Sequence, residues 1–208
     1  VDVDALRCDY ILLSHGHIDH CADLETIAQN NPDVRIVGIW EIHDRYSSRG
    51  FKTHPMNIGG WWTFDFGRVK MVNAVHSSSW PEGMYAGNAA GFVLDTADGV
   101  LYYAGDTALT MDMQLIPMTC PKLDIAILPI GSNFTMDYHD ALIASELRNL
   151  QGQGQGVRRV KAYVDRLANG YLDPGAPFEI VKESPALALV DGHNAPGTVV
   201  AVRAMRLA

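Results

Sequence analysis

The chain has 208 residues, 48% hydrophobic and 19% charged, an ordinary globular composition with enough length for a full core that needs no structural metal or disulfide. A net charge of −8 speaks against a nucleic-acid-binding surface, and three cysteines without a CxxC pair speak against a disulfide framework. With no apolar run of membrane-span length and no signal peptide at its start, the chain is expected to be cytoplasmic, with no membrane partner.

Residues 9–14 (DYILLS) are a short apolar run that predicts a buried strand, followed by a turn over 15–20. Residues 21–30 predict a helix with Leu24, Ile27 and Ala28 on one face, stopped by Asn30-Asn31-Pro32. Residues 34–39 (VRIVGI) return as a strand, so a βαβ crossover and a parallel pair are expected. A short helix over 41–50 and a loop over 55–60 come next. Residues 61–66 and 68–76 then alternate as two antiparallel strands around Gly67-Arg68. The stretch 77–91 is Gly-rich and without strand pattern, the kind of long loop that carries function. Residues 91–96 and 100–104 predict a hairpin around Ala97-Asp98-Gly99, and Gly105-Asp106-Thr107 closes its second strand. A buried strand over 123–130 and a helix over 137–150 capped by Asp137 complete a core spanning 1–150.

The Gln/Gly stretch 151–156 reads as a linker to a divergent segment, 151–208, expected to pack on the same domain. There, 157–169 predicts a basic amphipathic helix carrying Arg158, Arg159 and Lys161, and 186–191 and 198–203 predict strands.

The chemistry concentrates in SHGHIDH at 14–20. Three imidazoles and a carboxylate on one turn after a hydrophobic strand make most of two metal sites. Neutral imidazole and carboxylate are the usual transition-metal donors where cysteine is absent. His15 and His17 can converge on one point, Asp19 and His20 on a neighbouring one. Two ions about 3.5–4 Å apart can share and acidify a bridging water. Further donors must come from elsewhere, and His76 and Asp106 both follow apparent strands. Cys21 reads as a packing residue, His54 as either a loop element or a residue near the site. Trp61 and Trp62 read as core, and Trp80, in the long loop, as a pocket candidate.

SHGHIDH, the later His76 and GDT at 105–107 together resemble the metallo-β-lactamase fold superfamily. CDYILLSHGHIDH (8–20), HPMNIGG (54–60), HSSS (76–79), YYAGDTALTMDMQLI (102–116) and LPIGSNFTM (128–136) resemble more closely its UPF0173 branch of metal-dependent hydrolases, relatives of UlaG-type lactonases. The resemblance covers about residues 1–150. It implies an α/β fold, an αββα sandwich with the metals at one edge. It places His15, His17 and His76 on one ion and Asp19 and His20 on the other, with Asp106 between them. It also implies an N-terminal hairpin for which this chain has no matching stretch, and a further histidine near position 156, where Gly156 stands. His193, after ALALVDG, and His139, in MDYHD, are the substitutes available.

The reading that follows is a hydrolase of a small-molecule ester, lactone or phosphodiester, with a metal-bound hydroxide as nucleophile and Asp19 and Asp106 handling the proton. Two divalent ions are expected, zinc first, with manganese(II) or iron(II) as alternatives. A homo-oligomer is open. The competing reading is a non-catalytic metal-binding or scaffold member of the fold with an incomplete second site. An iron-type oxidoreductase is disfavoured by a histidine at position 17, and nucleic-acid processing by the acidic charge.

Overall fold

The computed structural model describes residues 2–121, 123–146, 159–163 and 200–202. They form two compact units, each built on one sheet. The first comprises Val1–Asn57, Ser78–Asn88 and Ser184–Ala208, the second Ile58–Ser77 and Ala89–Glu183.

In the first unit β1 (Tyr10–Leu12) leads through two short helices, α1 (Ile18–Cys21) and α2 (Leu24–Asn30), to β2 (Arg35–Ile39). β1 and β2 pair in parallel, with Ile11 opposite Ile36, which is the expected crossover. The turn expected over 15–20 ends in helix α1, which takes in Asp19 and His20, and the helix expected over 21–30 starts at Leu24, after Ala22-Asp23. Leu24, Ile27 and Ala28 are buried as their spacing requires. Helix α3 (Trp40–Ser47) packs on β2 and on β3 (Thr53–Met56), burying Ile42 and Tyr46.

Strand β3 corrects the loop expected over 55–60. Pro55 is tolerated because β3 is an edge strand, last in the order β10-β1-β2-β3, where a missing N–H breaks no ladder on the open side. The opposite edge is β10 (Val200–Val202), antiparallel to β1, so the far C-terminal chain supplies a strand beside the one that precedes SHGHIDH.

The second unit is a six-stranded sheet in sequence order, β4 (Trp61–Phe64), β5 (Gly67–Asn73), β6 (Ala90–Thr96), β7 (Gly99–Tyr103), β8 (Ile125–Pro129) and β9 (Arg159–Tyr163). The first four are an antiparallel meander, and β7, β8 and β9 run parallel. A 3-10 turn (Met111–Gln114) and α4 (Leu115–Thr119) fill the β7–β8 connection. Met113, Ile116, Tyr102 and Leu128 join one apolar cluster with Met136 and Ala141.

Helix α5 (Tyr138–Glu146) starts where predicted, the Asp140 N–H donating to Asp137 Oδ1 at 2.8 Å.

Strand β9 overturns the basic helix expected over 157–169. Arg159-Val160-Lys161-Ala162-Tyr163 alternates with period two, and pairing with the buried β8 decides between two readings that a short basic run leaves open. The predicted strand over 186–191 lies outside the described residues.

Candidate metal centre

The residues singled out from the sequence fall into two donor clusters, one in each unit. In the first unit the chain leaves β1 at Leu12 and runs through Ser14-His15-Gly16-His17 into α1. His15 is fully buried and His20 is 1% exposed. The Ser14 hydroxyl lies 3.0 Å from His15 Nδ1 and 3.4 Å from His20 Nδ1, so one buried oxygen orients both rings.

His15 Nε2 and His17 Nδ1 stand 3.0 Å apart. Bonds of about 2.0–2.1 Å to a tetrahedral zinc would set two nitrogens about 3.3 Å apart, so this pair fits one ion with little movement. Asp19 Oδ2 is 3.5 Å from His20 Nε2. These four donors, all nitrogen or oxygen, are brought together as the spacing predicted.

In the second unit His76 Nε2 and Asp106 Oδ2 are 3.7 Å apart, both side chains largely buried. Neither is quite the strand-end residue expected. β5 ends at Asn73, three residues before His76, and β7 ends at Tyr103, three before Asp106. Ala104 extends the parallel ladder through a 3.0 Å bond to the Ile127 carbonyl, and Gly105, at φ +65°, then turns the chain to present Asp106.

Thr107 holds the two segments together. Its hydroxyl accepts the Val75 N–H at 3.0 Å and donates to the Ala108 carbonyl at 2.8 Å, while the Ala108 N–H donates to the Val75 carbonyl at 3.0 Å. The Thr107 carbonyl accepts from Met136 N–H at 3.0 Å, which anchors the loop that follows β8. Sequence reasoning passed over Thr107 as a turn residue, and its place in GDT was the only signal.

Thr107→Val keeps the shape, loses the acceptor for a part-buried N–H, and is expected to lower unfolding free energy by about 1–3 kcal/mol in urea titrations. A change below about 0.5 kcal/mol would show that the clasp is not structural.

His139 heads α5, stacked on Tyr138 with ring centroids 3.8 Å apart, and belongs to none of the donor groups among the described residues. His193 lies outside the described residues. Cys21 is buried, donates to the Gly16 carbonyl at 3.5 Å, and has its thiol pushed up by burial, in keeping with packing rather than ligation. His54 sits on edge strand β3, its ring held below the usual histidine range first by burial and then by Arg35 and His43. Trp61 packs partly buried against the apolar cluster as expected, whereas Trp62, expected in the core, is 51% exposed; Trp80 is 5% exposed. No helix among the described residues is long and apolar enough to cross a membrane.

The family model for the beta-lactamase superfamily domain matches residues 3–185. A UPF0173 metal-dependent hydrolase of Flavobacterium johnsoniae is 58% identical over 146 residues, 70% of this chain and 64% of that protein. One from Methylacidiphilum infernorum is 41% identical over 193 residues, 90% of this chain and 84% of the relative. The chain thus spans about two thirds of the F. johnsoniae protein.

Among solved structures, Igni18, a metallo hydrolase of Ignicoccus hospitalis, aligns with a TM-score of 0.61 at 30% identity, over 67% of this chain and 59% of that one. The isothiocyanate hydrolase from Delia radicum gut bacteria aligns at the same TM-score and 22% identity, over 83% and 68%, a likeness of fold. With a domain match over most of its length and a 41% identical relative of which 84% is covered, the chain belongs to the metallo-β-lactamase superfamily, in the UPF0173 family of metal-dependent hydrolases.

Proposed function

We propose that the donor residues named from the sequence hold two divalent ions, and that the protein hydrolyses a small-molecule ester, lactone or phosphodiester with them. The observation that carries this is the donor chemistry. Two fully or nearly fully buried imidazoles, His15 and His20, share one orienting hydroxyl and stand beside His17 and Asp19. Structural packing has no use for so many polar groups out of water.

In this reading His15, His17 and His76 would hold one ion and Asp19, His20 and His193 the other, with the Asp106 carboxylate available to both. Zinc suits these donors first, with manganese(II) or iron(II) as alternatives. When bound, two divalent ions supply an acidified water and positive charge for the developing oxyanion. The chain's own part is to hold and orient. Ser14 sets the His15 and His20 rings, Thr107 sets the Asp106 segment against that of His76, and the Asp19 and Asp106 carboxylates orient the water and take up its proton. No serine nucleophile elbow is needed, and the sequence has none.

The test is metal content per chain after purification without added metal, followed by hydrolysis of a lactone, an aryl ester and a phosphodiester panel. About two equivalents with hydrolysis of one class is the expected result. His193→Ala should then lower the count. Full loading without any hydrolysis favours the non-catalytic scaffold. No metal after reconstitution overturns the proposal.

A further inference from the structure

We propose that Trp80 is a positioning residue for the His15–His17 pair: the buried indole is the surface against which the His-Gly-His turn is set. The inference rests on the metal-binding reading above and concerns only the first unit.

Gly16, between the two histidines, lies directly on the loop between β5 and β6. A Cβ at Gly16 would stand 2.3 Å from the Ala86 Cβ, 3.0 Å from Trp80 Cε3 and 3.2 Å from Cζ3. Its N–H donates to Ser78 Oγ of the same loop at 3.3 Å. A glycine flanked by two ligands would ordinarily give them backbone freedom, and here the loop removes it.

The loop can do so because it is itself held. The Trp80 N–H bonds the Met84 carbonyl at 2.8 Å, Gly83 returns a 2.8 Å bond to the Trp80 carbonyl, and Ala86 bonds the Ser78 carbonyl at 3.3 Å. Helix α3 then grips the ring. The Arg45 guanidinium lies 4.3 Å from its centroid, and Tyr46 meets it edge-on at 5.9 Å. Arg45 also pairs with Glu82 of the loop, while its buried Nε has no hydrogen-bond partner among the described residues. An arginine that leaves one N–H unsatisfied is held there by the ring and the carboxylate.

The support therefore runs from α3 to Trp80, from Trp80 and Ala86 to Gly16, and from Gly16 to the nitrogens of His15 and His17. Movement of the ring would change the 3.0 Å separation that suits one ion.

Cobalt(II) titration of the metal-free full chain tests this, read by the absorption bands of the bound ion and by affinity. Trp80→Leu is expected to weaken binding of the first equivalent about 10–100-fold and to shift the bands, with Trp80→Phe recovering most of both. A merely structural Trp80 would lower the unfolding midpoint while spectrum and affinity of the folded variant stay at wild-type values, and that result overturns the proposal. If Trp80→Leu does not fold, Arg45→Met keeps the indole and removes its clamp. About three- to ten-fold weaker cobalt binding is then expected, and unchanged binding overturns the proposal. Wild-type protein that takes up no cobalt overturns the metal-binding reading itself, and this inference with it.

Discussion

His15→Ala is expected to empty the centre more completely than any other single replacement. His15 is the middle ring of the first-unit cluster, its centroid 4.6 Å from that of His17 and 4.0 Å from that of His20. Its Nε2 faces the His17 nitrogen, and its Nδ1 faces the Ser14 hydroxyl that also orients His20. On the proposed assignment, removing it would take a ligand from one ion and free the serine that orients a ligand of the other. Metal content should fall from about two equivalents to below one. Hydrolysis should fall by more than the 10–100-fold typical of losing a mere orienting group, so about 10³-fold is the expectation. His17→Ala, at a partly exposed position, should leave more metal bound than His15→Ala, at a fully buried one.

The fold is expected to survive His15→Ala, because the apolar strands around the turn keep Ile11, Leu12 and Leu13 buried. Elemental analysis beside circular dichroism separates the cases. Two equivalents retained by a folded His15→Ala protein would remove His15 from the ligand set.

How much of this was legible in the sequence follows from the kind of signal each residue left. SHGHIDH could be read because its composition has no cheap structural explanation: four titratable side chains follow a strand whose every residue is buried. His76 and Asp106 could be nominated because each follows a strand, but the strands stop three residues short of both. What fixes them is a pair of bonds that Val75 makes with Thr107 and Ala108, more than 30 positions on, and no local pattern encodes a partner at that distance.

Trp80 stands in a Gly-rich loop, and nothing in that stretch of sequence shows how firmly its ring is held. Its order comes from α3, through Arg45 and Tyr46, elements remote in sequence. The two errors of element type share a cause. Pro55 and the basic run at 159–163 look wrong for strands until edge position in one case and a buried parallel neighbour in the other make them acceptable. Local propensity stood against sheet context, and the context prevailed.

Asp106→Asn is the sharper test of what the carboxylate does, since it keeps size and hydrogen-bonding reach and removes only charge and basicity. Asp106 is 5% exposed, and its Oδ2 lies 3.7 Å from His76 Nε2. The Gly105 turn and the Thr107 clasp hold the backbone on either side independently of the side chain. The amide should therefore sit where the carboxylate sits, and urea unfolding of the metal-free variant should match the parent within about 1 kcal/mol.

Two losses are expected together. An amide is a weaker donor to a hard or borderline cation, so one equivalent of metal should bind less tightly. An amide also cannot take a proton from water, and positioned proton transfer is worth about 10²–10⁴-fold. A hydrolytic rate lower by that factor, still depressed when the variant is saturated with metal, would assign Asp106 to proton handling as well as ligation. Full recovery at saturating metal would make it a ligand alone. Undiminished rate and metal content would move the second ion away from Asp106 and onto Asp19, His20 and whatever the C-terminal chain contributes.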